Sequence, residues 1–179
     1  MSVVRLAVAL LLVGIAAGCG GRAPSVKTPE AAATMTVTSS AFGDGGDIPR
    51  RHTCDGENLS PPLAFGGVPS GTGELALLVE DPDAPGGTFV HWVAWGIDGT
   101  RPVLAEGEAP AGSGTNDFGR AGYGGPCPPR GPAHRYVVTV FALSRPTGLR
   151  AGASAADLRS AIDGAVLAEG SLTGRYARA

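Results

Sequence analysis

A surplus of charge of one sign is missing from this chain of 179 residues: 14 Lys and Arg stand against 16 Asp and Glu, a formal net charge of -2. No basic cluster breaks that balance locally, so nucleic acid and anionic membrane surfaces have no electrostatic foothold on it. No G-x-S-x-G elbow is present, which removes the usual signature of a serine hydrolase. No glycine-rich turn links a strand to a helix, as dinucleotide and phosphate loops require. No Cys/His spacing matches a compact zinc signature. No apolar run reaches the roughly 20 residues of a membrane-spanning helix. Turn chemistry is what the chain has in quantity: 29 Gly and 15 Pro in non-repeating sequence, with 43% hydrophobic residues. One folded, turn-rich domain follows from that composition and length.

The N-terminus carries an address. Arg5 precedes an apolar and small-residue run, Leu6 to Gly18, of the length of a signal-peptide hydrophobic region. The run ends in "IAAGC", which resembles a bacterial lipoprotein signal box. That resemblance implies a signal peptide over residues 1–18, cleavage after Gly18 and acylation, palmitate included, of Cys19. The mature chain would then be lipid-anchored to the cell membrane on its extracytoplasmic face. The breaker-rich "GGRAPSVKTPEAAAT" that follows suits a tether over residues 19–33, with the domain occupying 34–179. The competing reading is an ordinary secretory signal with a chance cysteine. Two cysteines remain, Cys54 and Cys127. In an exported chain an even remainder suggests a disulfide, with two buried free thiols as the alternative.

Strand signals dominate the domain. "TMTVTS" at Thr34 to Ser39 alternates, "ELALLVE" from Glu74 to Glu80 is an apolar run of strand length, and "TFVHWVAWGI" from Thr88 to Ile97 is another. "HRYVVTVFAL" from His134 to Leu143 is rich in β-branched and aromatic residues, and "GSLTGRYAR" is a candidate last strand. Phe42 to Pro69 and Gly107 to Gly131 read as loops. One amphipathic helix is expected, with Ser154 as N-cap, Asp157 in its first turn, and Leu158, Ile162 and Val166 at four-residue spacing. The pattern predicts an all-β sandwich with a short peripheral C-terminal helix.

Chemistry concentrates in "DPDAPGGTFVHW", Asp81 to Trp92. Asp83 before its neighbouring Ala-Pro suits an Asx turn, whereas Asp81, ending a strand, suits either turn structure or a pocket wall. His52, Cys54, Asp81, His91 and His134 could meet around a metal, yet Cys54 has a rival use in the disulfide and no metal is expected. Ser60 has no base beside it in sequence, and no nucleophile or cofactor is evident, so the chain is not read as an enzyme. A ligand pocket explains more. Asp81 ends one strand, His91 lies within the next, and His134 and Tyr136 begin a third, with "GYGGPCPPRG" just before it. Two imidazoles, a carboxylate and a phenol at strand ends suit a small anion.

"SPPL", "DPDAP" followed by "HW", "TNDFG" with "GYGGPCPP", and "HRYVVTVFAL" together resemble the bacterial branch of the phosphatidylethanolamine-binding, or Raf-kinase-inhibitor-like, protein family, over about Met35 to Arg178. The resemblance implies a Greek-key β-sandwich with an anion pocket. It assigns Asp81, His91, His134 and Tyr136 to that pocket, and Gly125 and Pro126 to the loop shaping its mouth. "GPAHRY" is one residue longer than the family's usual spacing, which shifts the loop before His134. The implied function is a membrane-anchored extracytoplasmic binding or regulatory protein that takes a phosphate or phospholipid headgroup, with no cofactor and no nucleic-acid partner. The alternative is a protein-interaction or inhibitor module, acting on kinases or proteases, in which the pocket is secondary.

Overall fold

The structure, a computed structural model, describes residues 33–178. The expected signal peptide, the acylated Cys19 and the tether up to residue 32 lie outside the described residues. In chain order the strands are β1 (Ala33–Thr34), β2 (Thr36–Thr38), β3 (Leu63–Gly66), β4 (Glu74–Asp81), β5 (Phe89–Ile97), β6 (Val103–Leu104), β7 (Gly112–Ser113), β8 (His134–Leu143) and β9 (Val166–Tyr176), with helix α1 (Ala155–Ile162) between the last two. They form a Greek-key β-sandwich. One sheet has the order β1-β9-β8-β4-β5-β7 and the other β2-β3-β6.

The longest pairings are antiparallel: β8 runs against β9 from His134↔Tyr176 to Leu143↔Val166, and against β4 from Glu80↔Val137 to Glu74↔Leu143. Central β4 explains why its sequence shows no alternation. Leu75, Leu77 and Val79 face the inter-sheet core with Val37, Phe65 and Leu104, while Ala76 and Leu78 face a second core against Leu158 and Ile162 of α1. A strand buried on both faces needs apolar residues at every position. That double burial makes β4 a fixed platform for the residue at its end, Asp81.

Helix α1 starts on a full capping box: the Ser154 hydroxyl accepts from the Asp157 N–H, and the Asp157 carboxylate accepts from the Ser154 N–H. It stops earlier than the four-residue spacing suggests. Gly164 adopts φ +66° just beyond it, and Val166 opens β9 instead of a further helical turn. Val166 still packs beside Leu158 and Ile162, which is why its spacing mimics helix. The expected loop from Phe42 to Pro69 also contains structure, namely β3 and a 3₁₀ turn at Arg50–His52. Among the described residues no helix is long and apolar enough to cross a membrane.

Candidate functional site

Asp81, His91 and His134 come together at one end of the large sheet, where β4 finishes, β5 begins and β8 begins. They line a cleft of about 150 Å³ whose remaining walls are Ala84, Pro85, Phe89, Phe118 and the Cys127–Pro129 stretch. Pairing of Asp81 with Phe89 and of Glu80 with Val137 brings the three strand ends side by side. The cleft is small for a drug-sized ligand, and it matches a single polar group.

Each polar side chain has a defined role. His134 Nδ1 lies 2.8 Å from Asp81 Oδ2, and the other Asp81 oxygen accepts from the Asp83 N–H at 2.8 Å, closing the turn. Asp83 turns outward and takes Arg135, through its backbone N–H, Nε and Nη2. That guanidinium holds the Asp83 carboxyl far below the usual carboxylate range. Asp81 therefore serves both the cleft wall and the turn, and Asp83, expected to form an Asx turn, instead pairs with Arg135 of β8. His91 is buried, and its Nδ1–H donates to the Gly124 carbonyl at 2.7 Å. A carbonyl only accepts, so the proton sits on Nδ1 and the neutral ring keeps a lone pair on Nε2. Burial holds its pKa below the ordinary 6.5, against the opposing pull of the Gly124 carbonyl and Asp81.

Three aromatic rings enclose His91: Phe89 at 5.1 Å, Phe118 at 5.3 Å and Tyr136, edge-on, at 5.1 Å. Tyr136 packs edge-on against the imidazole and is not among the residues lining the cleft. Its hydroxyl is buried without a hydrogen-bond partner. Burial, with the Asp81 charge and the approach of the hydroxyl to the Asp81 carboxylate adding to it, pushes that phenol far above its usual pKa. Gly125 and Pro126 lie behind the wall. Gly125 donates its N–H to Asn58 Oδ1 at 2.7 Å, and a Cβ there would come within 2.4 Å of the His52 carbonyl. Pro126 accepts from the Cys54 N–H at 3.1 Å. The disulfide Cys54–Cys127, with Cα atoms 5.4 Å apart, fastens this loop to the 3₁₀ turn and puts Cys127 in the cleft wall.

Two asparagines were not singled out from sequence. Asn116 is buried, donates to the carbonyls of Gly122 and His91, and accepts from the N–H groups of Phe118 and Arg120. It folds the loop that carries Gly124, the partner of His91. Asn58 sits at φ 59°, a left-handed conformation that Asn tolerates better than most residues, and it anchors Gly125. "TNDFG" contained the first signal, an Asn opening a glycine turn; nothing in "GENLSPP" marked the second. Among the described residues no group of three or more His, Cys, Asp or Glu is arranged to hold a metal ion.

Comparison with known proteins agrees with this architecture. A family model described as phosphatidylethanolamine-binding protein matches residues 38–177. A "UPF0098 protein" of Aquifex aeolicus is 47% identical over 154 residues, covering 82% of this chain and 90% of the relative. LppC of Mycobacterium tuberculosis, whose name describes it as a lipoprotein, is 39% identical over 186 residues, covering 93% of this chain and 92% of the relative. Among solved structures, a phosphatidylethanolamine-binding protein homologue from Chlamydia trachomatis superposes with a TM-score of 0.77 at 36% identity, covering 82% of this chain and 99% of that one. YbcL of Escherichia coli, described as a member of the mammalian PEBP family, gives 0.75 at 34% identity, covering 82% of this chain and all of the other.

Proposed function

Because the chain belongs to the phosphatidylethanolamine-binding protein family, we propose that it is a binding or regulatory protein whose cleft holds a small oxyanion, a phosphate or a phospholipid headgroup. The observation that carries this reading is the meeting of Asp81, His91 and His134 on the walls of one small cleft. Asp81 orients His134 through Nδ1, Gly124 orients His91 in the same way, and Phe89 and Phe118 pack edge to face in the wall. Rings held by one nitrogen offer the other to a ligand, and partial burial strengthens each contact made there. Tyr136, Gly125 and Pro126 belong to the site as supports: the ring against His91, and the backbone behind the cleft wall. The sequence around Cys19 and the similarity to a relative named as a lipoprotein support an acyl anchor on the extracytoplasmic side of the membrane.

The test is calorimetric titration of the full chain with inorganic phosphate. Binding should weaken on the order of tenfold or more when His134→Ala removes one hydrogen bond to a charged group. If the combined His91→Ala, His134→Ala chain, shown to be folded by its thermal transition, binds phosphate as tightly as the parent, the cleft is not the anion site.

A further inference from the structure

The cleft is built to accept protons as well as charge. This inference rests on the oxyanion reading above and narrows it. With its Nδ1–H committed to the Gly124 carbonyl at 2.7 Å, His91 can meet a ligand only through the lone pair on Nε2. Asp81, the carboxylate on the same wall, is an acceptor too. No Lys or Arg is among the residues lining the cleft. Arg135 is held outside by Asp83, and Arg120 stacks over the Phe118 ring at 5.2 Å from its centre. The groups facing His91 are Asp81 from β4, Asp117 from the loop after β7, and Tyr136 from β8; His134 shares the cleft with it. Two of the groups facing it are acids and none is a fixed cation.

An anion bearing only acceptors would set its oxygens against the Nε2 lone pair and the Asp81 carboxylate. An anion that keeps one acidic hydrogen can instead donate O–H to one of them while its remaining oxygens take whatever N–H groups the cleft supplies. We infer that the site selects the monoprotonated form of inorganic phosphate or of a phosphate monoester over fully deprotonated oxyanions, including the phosphodiester of a lipid headgroup. Burial lowers the His91 pKa below its ordinary 6.5, which favours the neutral, accepting ring. Burying an acceptor against an acceptor leaves both unpaired and desolvated, which is the strongest form of discrimination a polar site has.

The experiment compares methyl phosphate, methyl sulfate and dimethyl phosphate by calorimetry on the full chain at about pH 5.5, below the phosphate second pKa of about 6. All three are then predominantly monoanions of similar size, and only methyl phosphate carries an acidic O–H. Inorganic phosphate is the fourth probe, and its affinity relative to methyl phosphate separates a free-ion site from a monoester site. Methyl phosphate should bind at least about tenfold tighter than the sulfate and the diester. Repeated near pH 8 in two buffers of different ionisation enthalpy, its binding should weaken and take up close to one proton from solvent. Equal affinity for the three esters, or tight binding of the dianion without proton uptake, overturns the inference while leaving the oxyanion site standing. Binding of none of the four probes overturns the oxyanion reading itself and this inference with it.

Discussion

His91 and Gly124 are joined across 33 residues by a bond of 2.7 Å, from the imidazole Nδ1 on a sheet strand to a carbonyl in a glycine loop. It positions the ring and fixes its tautomer, and it is made beside three aromatic rings, with the imidazole itself buried. A ring in that position resists a second proton.

Stability should therefore depend on pH through His91. Its folded pKa is lowered from 6.5, chiefly by burial, so the unfolded chain binds more protons below that value. The contribution is fully present above about pH 6.5 and is lost as pH falls from there through the folded pKa. The surface carboxylates Asp55, Asp83, Asp98 and Asp157, lowered from 3.8, and Glu108, lowered from 4.5, act in a separate and more acidic window. The melting temperature should fall measurably between pH 7.5 and 5.5, and His91→Gln should flatten that slope. An NMR titration of the His91 Cε1–H in the parent chain is the direct check. A midpoint above 6.5 would mean that a neighbouring charge, not burial, controls the ring.

The disulfide Cys54–Cys127 closes a loop with a sequence separation of 73, so its loss should destabilise the domain by about 4 kcal/mol by the loop-entropy account. For a domain of this size that lowers the melting temperature on the order of 10 °C. The loop has a second fastening. Asp55, next to Cys54, accepts from the Tyr176 hydroxyl at 2.8 Å and from Arg178 Nε at 3.1 Å, tying it to the end of β9. The Cys54→Ser, Cys127→Ser chain should thus remain folded at 25 °C while melting earlier. Scanning calorimetry of this variant and of the reduced parent reads both effects; an unchanged melting temperature would show that the bond constrains nothing the rest of the fold does not.

The large elements were legible because their causes are local. β4, β5 and β8 are runs of apolar, β-branched and aromatic residues, and α1 announces itself with a capping box. Strands β6 and β7 are two residues long and exist only because a neighbour pairs with them, so no period in the sequence could reveal them. The site divides the same way. Asp81, His91 and His134 were readable as polar residues at strand ends. The tautomer of His91 was not, because it depends on a carbonyl in another segment that Asn116 folds into place. The family resemblance assigns Tyr136 to the pocket. Its place in β8 was readable, but the direction of its hydroxyl depends on how β8 packs against the smaller sheet.

That hydroxyl supplies the last prediction. Tyr136 is 1% exposed, its oxygen meets no partner at full hydrogen-bond geometry although the Asp81 carboxylate is near it, and the residues lining the cleft do not include it. A buried hydroxyl without a partner costs about 1–3 kcal/mol of desolvation, whereas its ring contributes packing against His91. Tyr136→Phe keeps the ring and removes the cost. The variant should melt a few degrees higher and bind phosphate within about twofold of the parent. Tyr136→Ala should do the reverse, losing about 3–5 kcal/mol with the ring and loosening His91. The phenylalanine variant decides between two uses of the hydroxyl. If it melts lower and binds phosphate less tightly, the hydroxyl turns toward Asp81 when a ligand is bound and belongs to the binding machinery. If it melts higher with affinity intact, the role of Tyr136 is to hold the imidazole in place.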